Sequence, residues 1–144
     1  MIPGPLPIDI GGLHITDNRA GDPQAHTFAA LTFIPANGYA RFIADGTTSQ
    51  GPSHLSFSLD RNGDAVYLHN GATLVDSIAF GNQIPEFTIG RIGTAGTWTL
   101  CTNNGTPGTV GTFGAANVTR QLGDPNVARI SEWFTSGDVL YDAD

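Results

Sequence analysis

Short runs that alternate apolar and polar residues, each cut off by Gly, Pro, Asn or Asp, constrain this chain more than any other feature. A period of two puts successive side chains on opposite faces of a strand, so one face can be buried while the other meets water. Ser53 to Leu59 is the cleanest case, with Leu55, Phe57 and Leu59 on one face and Ser56 and Ser58 on the other. Leu6 to Ile10, Leu13 to Thr16, Thr27 to Ile34, Tyr39 to Ile43, Ala65 to His69, Thr73 to Phe80, Phe87 to Arg91 and Thr97 to Cys101 read as further strands. In Ala65 to His69, Val66 and Leu68 point inward; in Thr73 to Phe80, Leu74, Asp76, Ile78 and Phe80 share a face. Pro35-Ala36-Asn37-Gly38 is a strong turn. Arg61-Asn62-Gly63-Asp64 and Asn70-Gly71 read as hairpin turns, the first folding Ala65 to His69 back onto Ser53 to Leu59. Asp17 to Gln24 and Asn103 to Asn117 read as loops. No segment longer than two turns carries a helical period, so the expected fold is an all-β sandwich.

Composition agrees and removes some functions. The chain has 144 residues, enough for one domain with a real core and no metal or disulfide staple. Charged residues are only 13%, and all six cations are Arg, at 19, 41, 61, 91, 120 and 129. The net charge of −7 and the absence of any basic stripe make direct nucleic-acid contact unexpected. No apolar run is long enough to span a bilayer, so membrane insertion is not expected either. Cys101, alone, cannot form an internal disulfide; alternation sets it opposite the Trp98 and Leu100 face, as a small inert side chain.

Few motifs carry chemistry. Asp60, Asn62 and Asp64 have the Asp-x-Asn-x-Asp spacing with which calcium loops present oxygens. No later bidentate Glu and no helix accompany them, and an ordinary turn explains every residue, so calcium stays the second choice. His14, His26, His54 and His69 show no metal-ligand spacing, and three of them fall in or beside strand candidates, where an outward position is the default. Asp9, Asp17, Asp45, Asp76, Glu86 and Glu132 offer carboxylates, but no nucleophile elbow, phosphate loop or dinucleotide fingerprint occurs. No catalytic residues are therefore assigned. Asn104 and Asn117 begin glycosylation-acceptor triplets, which a chain rich in Asn, Gly and Thr produces by chance. Trp98 and Trp133 are too far apart in sequence to suggest a sugar platform, and each fits a core strand.

Taken in order, several motifs resemble one family. Leu74-Val75-Asp76-Ser77-Ile78-Ala79-Phe80-Gly81-Asn82-Gln83 is followed by Phe87-Thr88-Ile89-Gly90-Arg91, by Trp98 and by Thr106-Pro107-Gly108. Upstream stand Ile10-Gly11-Gly12-Leu13-His14-Ile15-Thr16-Asp17, Pro35-Ala36-Asn37-Gly38-Tyr39 and the Leu55 to Leu68 stretch. This series, covering Leu6 to Asn117, resembles the lamin tail domain family of bacterial type. The resemblance implies an immunoglobulin-like β-sandwich without catalytic residues. In it Asp76 is expected to be a structural carboxylate pairing with Arg91 or backbone donors.

The resemblance also departs in one place. The family's opening strands do not precede Leu6; instead Val127-Ala128-Arg129-Ile130-Ser131-Glu132-Trp133-Phe134 looks like its first strand. Residues 1–122 are therefore expected to form the sandwich, and 123–144 a linker plus the opening strand of a following tandem repeat. Ala128 to Phe134 is expected to pair as a strand in this sandwich or a neighbour's. The expected role is a non-catalytic module of a larger bacterial protein, exported to the cell surface or beyond. It would serve spacing, anchoring or protein-protein binding, with a neighbouring repeat, a strand-exchanged copy or a homo-oligomer as partner. The alternative is a carbohydrate- or calcium-assisted binding domain accessory to a secreted hydrolase. No cofactor is expected beyond that calcium.

Overall fold

A computed structural model describes residues 5–85, 87–93, 96–102 and 115–131. Helix there is confined to two three-residue 3₁₀ turns, Thr48–Gln50 and Pro125–Val127. Nine strands follow in chain order: β1 (Ile8–Asp9), β2 (His14–Thr16), β3 (His26–Thr27), β4 (Phe33–Ile34), β5 (Asp64–Asn70), β6 (Thr73–Phe80), β7 (Thr88–Arg91), β8 (Trp98–Thr102) and β9 (Val118–Thr119). They make three antiparallel sheets, β1-β4, β3-β2-β5-β6 and β7-β8-β9. Among the described residues the chain is all-β.

The β5–β6 hairpin is the longest pairing, and its turn is short. Asn70 opposes Thr73, leaving Gly71 and Ala72 as the loop, with Gly71 at φ 57°. A positive φ at the first loop residue matches the right-handed twist of the flanking strands, and Gly adopts it without strain. Further along, the register slips at Leu68/His69: Leu68 opposes Asp76, but His69 opposes Leu74. This bulge takes Leu74 out of line with Asp76, Ile78 and Phe80, which corrects the four-residue face read from alternation. Asp76, Ile78 and Phe80 stay on the side of Val66 and Leu68, through the pairs Leu68–Asp76 and Val66–Ile78.

The described residues share one small buried core. Ile10, Phe28, Leu55 and Phe57 are buried together, with Leu13, Ile15, Ala25, Ile34, Phe42, Ala44 and Leu68 packed around them. Leu55 and Phe57 are the inward pair of the cleanest alternating run. That run makes no ladder, however: it is held by bridges Ile43–His54 and Asp45–Ser58 and by the Ser56 hydroxyl donating to the Ala25 carbonyl. The expected Tyr39 to Ile43 return strand is reduced to the same bridge at Ile43.

Two other expectations give way to tertiary contacts. Ala65 to His69 does not fold back on Ser53 to Leu59; β5 lies between β2 and β6. The 60–63 turn is present, with Gly63 N–H donating to the Asp60 carbonyl at 3.2 Å, but it does not join two paired strands. The single strand expected from Thr27 to Ile34 is split into β3 and β4, which belong to different sheets. Phe28 dives into the core, the chain turns at Leu31 (φ 63°), and β4 starts again beside β1. Here Gly11 passes so near that an added Cβ would lie 2.9 Å from the Ala30 Cα. Only glycine fits that approach.

Candidate functional site

The β5–β6 hairpin and the β7–β8 hairpin meet across a seam that is poorly filled. Alternation and the pairs Ile89–Leu100 and Arg91–Trp98 place those four side chains on one face of the second hairpin. Across the seam, Asp76 Oδ1 accepts a 2.7 Å hydrogen bond from the Arg91 guanidinium, which also lies over the Trp98 ring at 4.6 Å. The carboxylate sits at an otherwise apolar strand position because its charge is matched there by a cation from the other hairpin. Of the partners expected for Asp76, Arg91 or backbone donors, both are present, since the Ser77 N–H also donates to Oδ1 at 2.9 Å.

On the Phe80 side of this pair the seam opens into a cleft of about 420 Å³, walled by Leu59, Ile78, Phe80, Phe87, Ile89 and Trp98. Asp60, Arg61, Gln83 and Thr88 border it. On the other side a recess of about 160 Å³ runs between Val66, Leu68, Asp76, Ile78 and Trp98. Ile78, Phe80, Phe87, Ile89 and Trp98 are only half-buried, and Leu59 is 39% exposed. Apolar side chains left this way forfeit much of the roughly 1.5–3 kcal/mol each would gain from full burial. Among the described residues β6 is also the last strand of its sheet, so no described strand pairs with its outer edge.

The rim is held from β9. The Asn117 side-chain amide donates to the Arg91 carbonyl at 2.8 Å, and Arg120 N–H donates to the Leu100 carbonyl at 2.9 Å. The Arg120 guanidinium then covers the Phe87 ring at 5.6 Å. Asn117, one of the two glycosylation-acceptor residues, is exposed and has its amide nitrogen bonded to that carbonyl; Asn104 lies outside the described residues.

The calcium candidates form a self-contained turn. Asp60 Oδ1 accepts from the Asn62 backbone and side-chain amides at 2.8 and 3.0 Å. Asp64 accepts from the Asp60 and Ala65 N–H groups at 2.9 and 2.8 Å. Local bonding accounts for both carboxylates, and Asp60 lies at the border of the cleft as a consequence of the turn. Among the described residues no three His, Cys, Asp or Glu side chains come together as a metal site.

The histidines divide. His14 Nδ1 bonds the Thr27 hydroxyl at 2.8 Å, and His26 packs edge-on against Phe28 at 5.5 Å, burial lowering its pKa. His69 is 5% exposed, and its buried Nε2 has no partner among the described residues, so the outward position expected for it is wrong. It stands opposite His14 in the β2–β5 register, on the strand face of Tyr67, whose ring lies 6.4 Å away. His54 Nδ1 lies 2.7 Å from Asp45 Oδ2. This acid–imidazole pair had no signal in sequence, because the two residues are brought together by the bridges at Ile43 and Ser58.

Cys101 is fully buried on the face away from the seam, as alternation placed it, and burial pushes its thiol up, away from thiolate reactivity. Residues 128–131 of the expected last strand are exposed and belong to no strand of the described chain. Glu132, Trp133 and Phe134 lie outside the described residues, as do Glu86 and the Thr106-Pro107-Gly108 motif. No helix of the described residues is long and apolar enough to cross a membrane.

Comparison with known proteins adds no relative: no family model matches the chain, and neither a curated protein nor a solved structure matches it.

Proposed function

We propose that this chain is a non-catalytic, lamin-tail-like module with an immunoglobulin-like sandwich, and that it works by taking up an extended apolar segment of a protein partner. The observation that carries this reading is the open seam: a half-filled apolar cleft beside the edge of β6, with which no further described strand pairs. An extended peptide added to such an edge gains main-chain hydrogen bonds, and its alternate side chains fill the adjoining pocket. The Asp76–Arg91 pair supports this use, since it ties the two hairpins together while the apolar wall on either side stays uncovered. The resemblance to lamin tail domains supports a place in a larger, exported bacterial protein, where the module would space, anchor or bind neighbouring units. Its low charge and acidic balance suit protein contact better than contact with nucleic acid.

The reading is tested by titrating the full chain with extended peptides that alternate apolar and polar residues, and mapping amide shifts by NMR. Shifts centred on Ile78, Phe80 and Ile89 and on the Trp98 indole are expected. Shifts confined to other surfaces, or none with any peptide, would overturn it.

A further inference from the structure

The seam has a matching, equally unsatisfied segment in the same chain. After β9 the chain leaves from the rim of the cleft, where Arg120 covers Phe87. From there every described residue is exposed, including Leu122 at 61%, Val127 at 69% and Ile130 at 83%. The sequence then continues Ser131-Glu132-Trp133-Phe134. An exposed apolar stretch whose sequence runs on into aromatic residues and an apolar cleft left half empty are complementary halves of one contact. The described tail residues contribute nothing to the wall of their own cleft.

We propose, resting on the peptide-binding reading above, that the occupant of the cleft is the 127–134 segment of a second copy of this chain. Laid along the free edge of β6, an extended segment sets alternate side chains toward the cleft, spaced two residues apart as the pleat requires. Charge fits as well: the border carries Asp60 and Arg61, and the segment carries Arg129 and Glu132. The Arg129 guanidinium bonds the neighbouring backbone carbonyls of Asn126 and Ala128 at 2.8 Å, contacts that an incoming carboxylate can replace. The contact is heterologous, tail to cleft, so it closes when two copies exchange tails and otherwise grows as an open chain. Each copy carries a net charge of −7, so added salt strengthens the association by screening repulsion.

Sedimentation velocity on the full chain, from micromolar to millimolar concentration and at low and high salt, reads this directly. The weight-average mass is expected to rise with concentration, more steeply at high salt. The I130E/F134E double variant is expected to weaken self-association at least tenfold, about the loss of 1.4 kcal/mol or more. Ile130 is too exposed for its substitution to threaten folding, which circular dichroism would verify. A synthetic peptide of residues 126–136 is expected to bind that variant and shift the Ile78 and Phe80 amides. Peptide binding with a wild-type chain that stays monomeric would overturn the second-copy occupant and leave the peptide-binding reading standing. Association unaffected by the double variant would overturn the tail as donor. Absence of both association and peptide binding would remove both readings.

Discussion

Thr16 shows how much can rest on one hydroxyl. It is fully buried; its Oγ1 donates to the Asp22 carbonyl at 2.7 Å and accepts from Asn18 N–H at 2.9 Å, closing the 17–22 loop over the sheet. Thr16→Val keeps the shape and leaves a backbone donor and an acceptor without partners. A loss of about 2 kcal/mol is expected, measured by urea denaturation. Asp76 is a different case, because its pair with Arg91 is half in water, the two side chains being 46% and 30% exposed. Asp76→Asn is expected to cost only about 1 kcal/mol, and the difference from wild type should shrink as salt is raised. An equal cost at low and high salt would mean that the carboxylate acts through its shape and not its charge. Of these two residues, the polar position on an apolar face marks Asp76 in the sequence. Nothing marks Thr16, since its burial depends on a loop folding over it.

Among the elements, the β5–β6 hairpin was the most legible. Its strands alternate, and the Asn-Gly signal lies one residue from the loop that forms, Gly71-Ala72. Gly71→Ala would force φ 57° on a residue with a Cβ although there is open space around it. The expected cost is about 1 kcal/mol, read as a fall of several degrees in Tm. A change within error would show that the turn relaxes to another type. The bulge at Leu68/His69 was not legible, because alternation continues unbroken through Leu74 and Asp76. The slip appears only in the pairing with β6; against β2 the register runs through His69 without a break. Ser53 to Leu59 teaches the converse: a clean period of two does report an inward and an outward face, yet no ladder has to form. Leu55 and Phe57 are buried by core packing alone.

For the molecule as a whole, acid is expected to loosen the end where the 43–47 and 53–58 segments meet. Burial alone would raise the Asp45 carboxyl, but the Thr47 N–H and the His54 ring hold it below the usual carboxylate range. A carboxyl depressed in the folded state contributes stability above its unfolded value near 4 and loses it as the pH falls through the lower folded value. His26 acts in the same direction: burial favours its neutral form, so stability also declines as the pH drops below about 6.5. A thermal-melt series from pH 7 to pH 3 should therefore show Tm falling in two stages. Asp45→Asn is expected to flatten the lower stage and leave the upper one. If it flattens neither, the Asp45–His54 contact does not couple to folding. The molecule's uneven core fits this picture, with one end packed around Ile10, Phe28, Leu55 and Phe57 and the other left as a seam.

Alternation and turn chemistry determined the β class, most of the strand positions, the shared face of Leu55 and Phe57, and the place of Asp76 on an otherwise apolar face. These follow from local geometry, which acts on residue types wherever they lie. Only the tertiary structure decided which strands are neighbours, where Thr27 to Ile34 breaks between sheets, and how His54 reaches Asp45. It also decided that, among the described residues, the β6 edge and the cleft beside it lie open. Strand partners are chosen by long-range contacts that no local pattern encodes. The functional surface proposed here depends on that choice, as the place where two hairpins meet without filling the space between them.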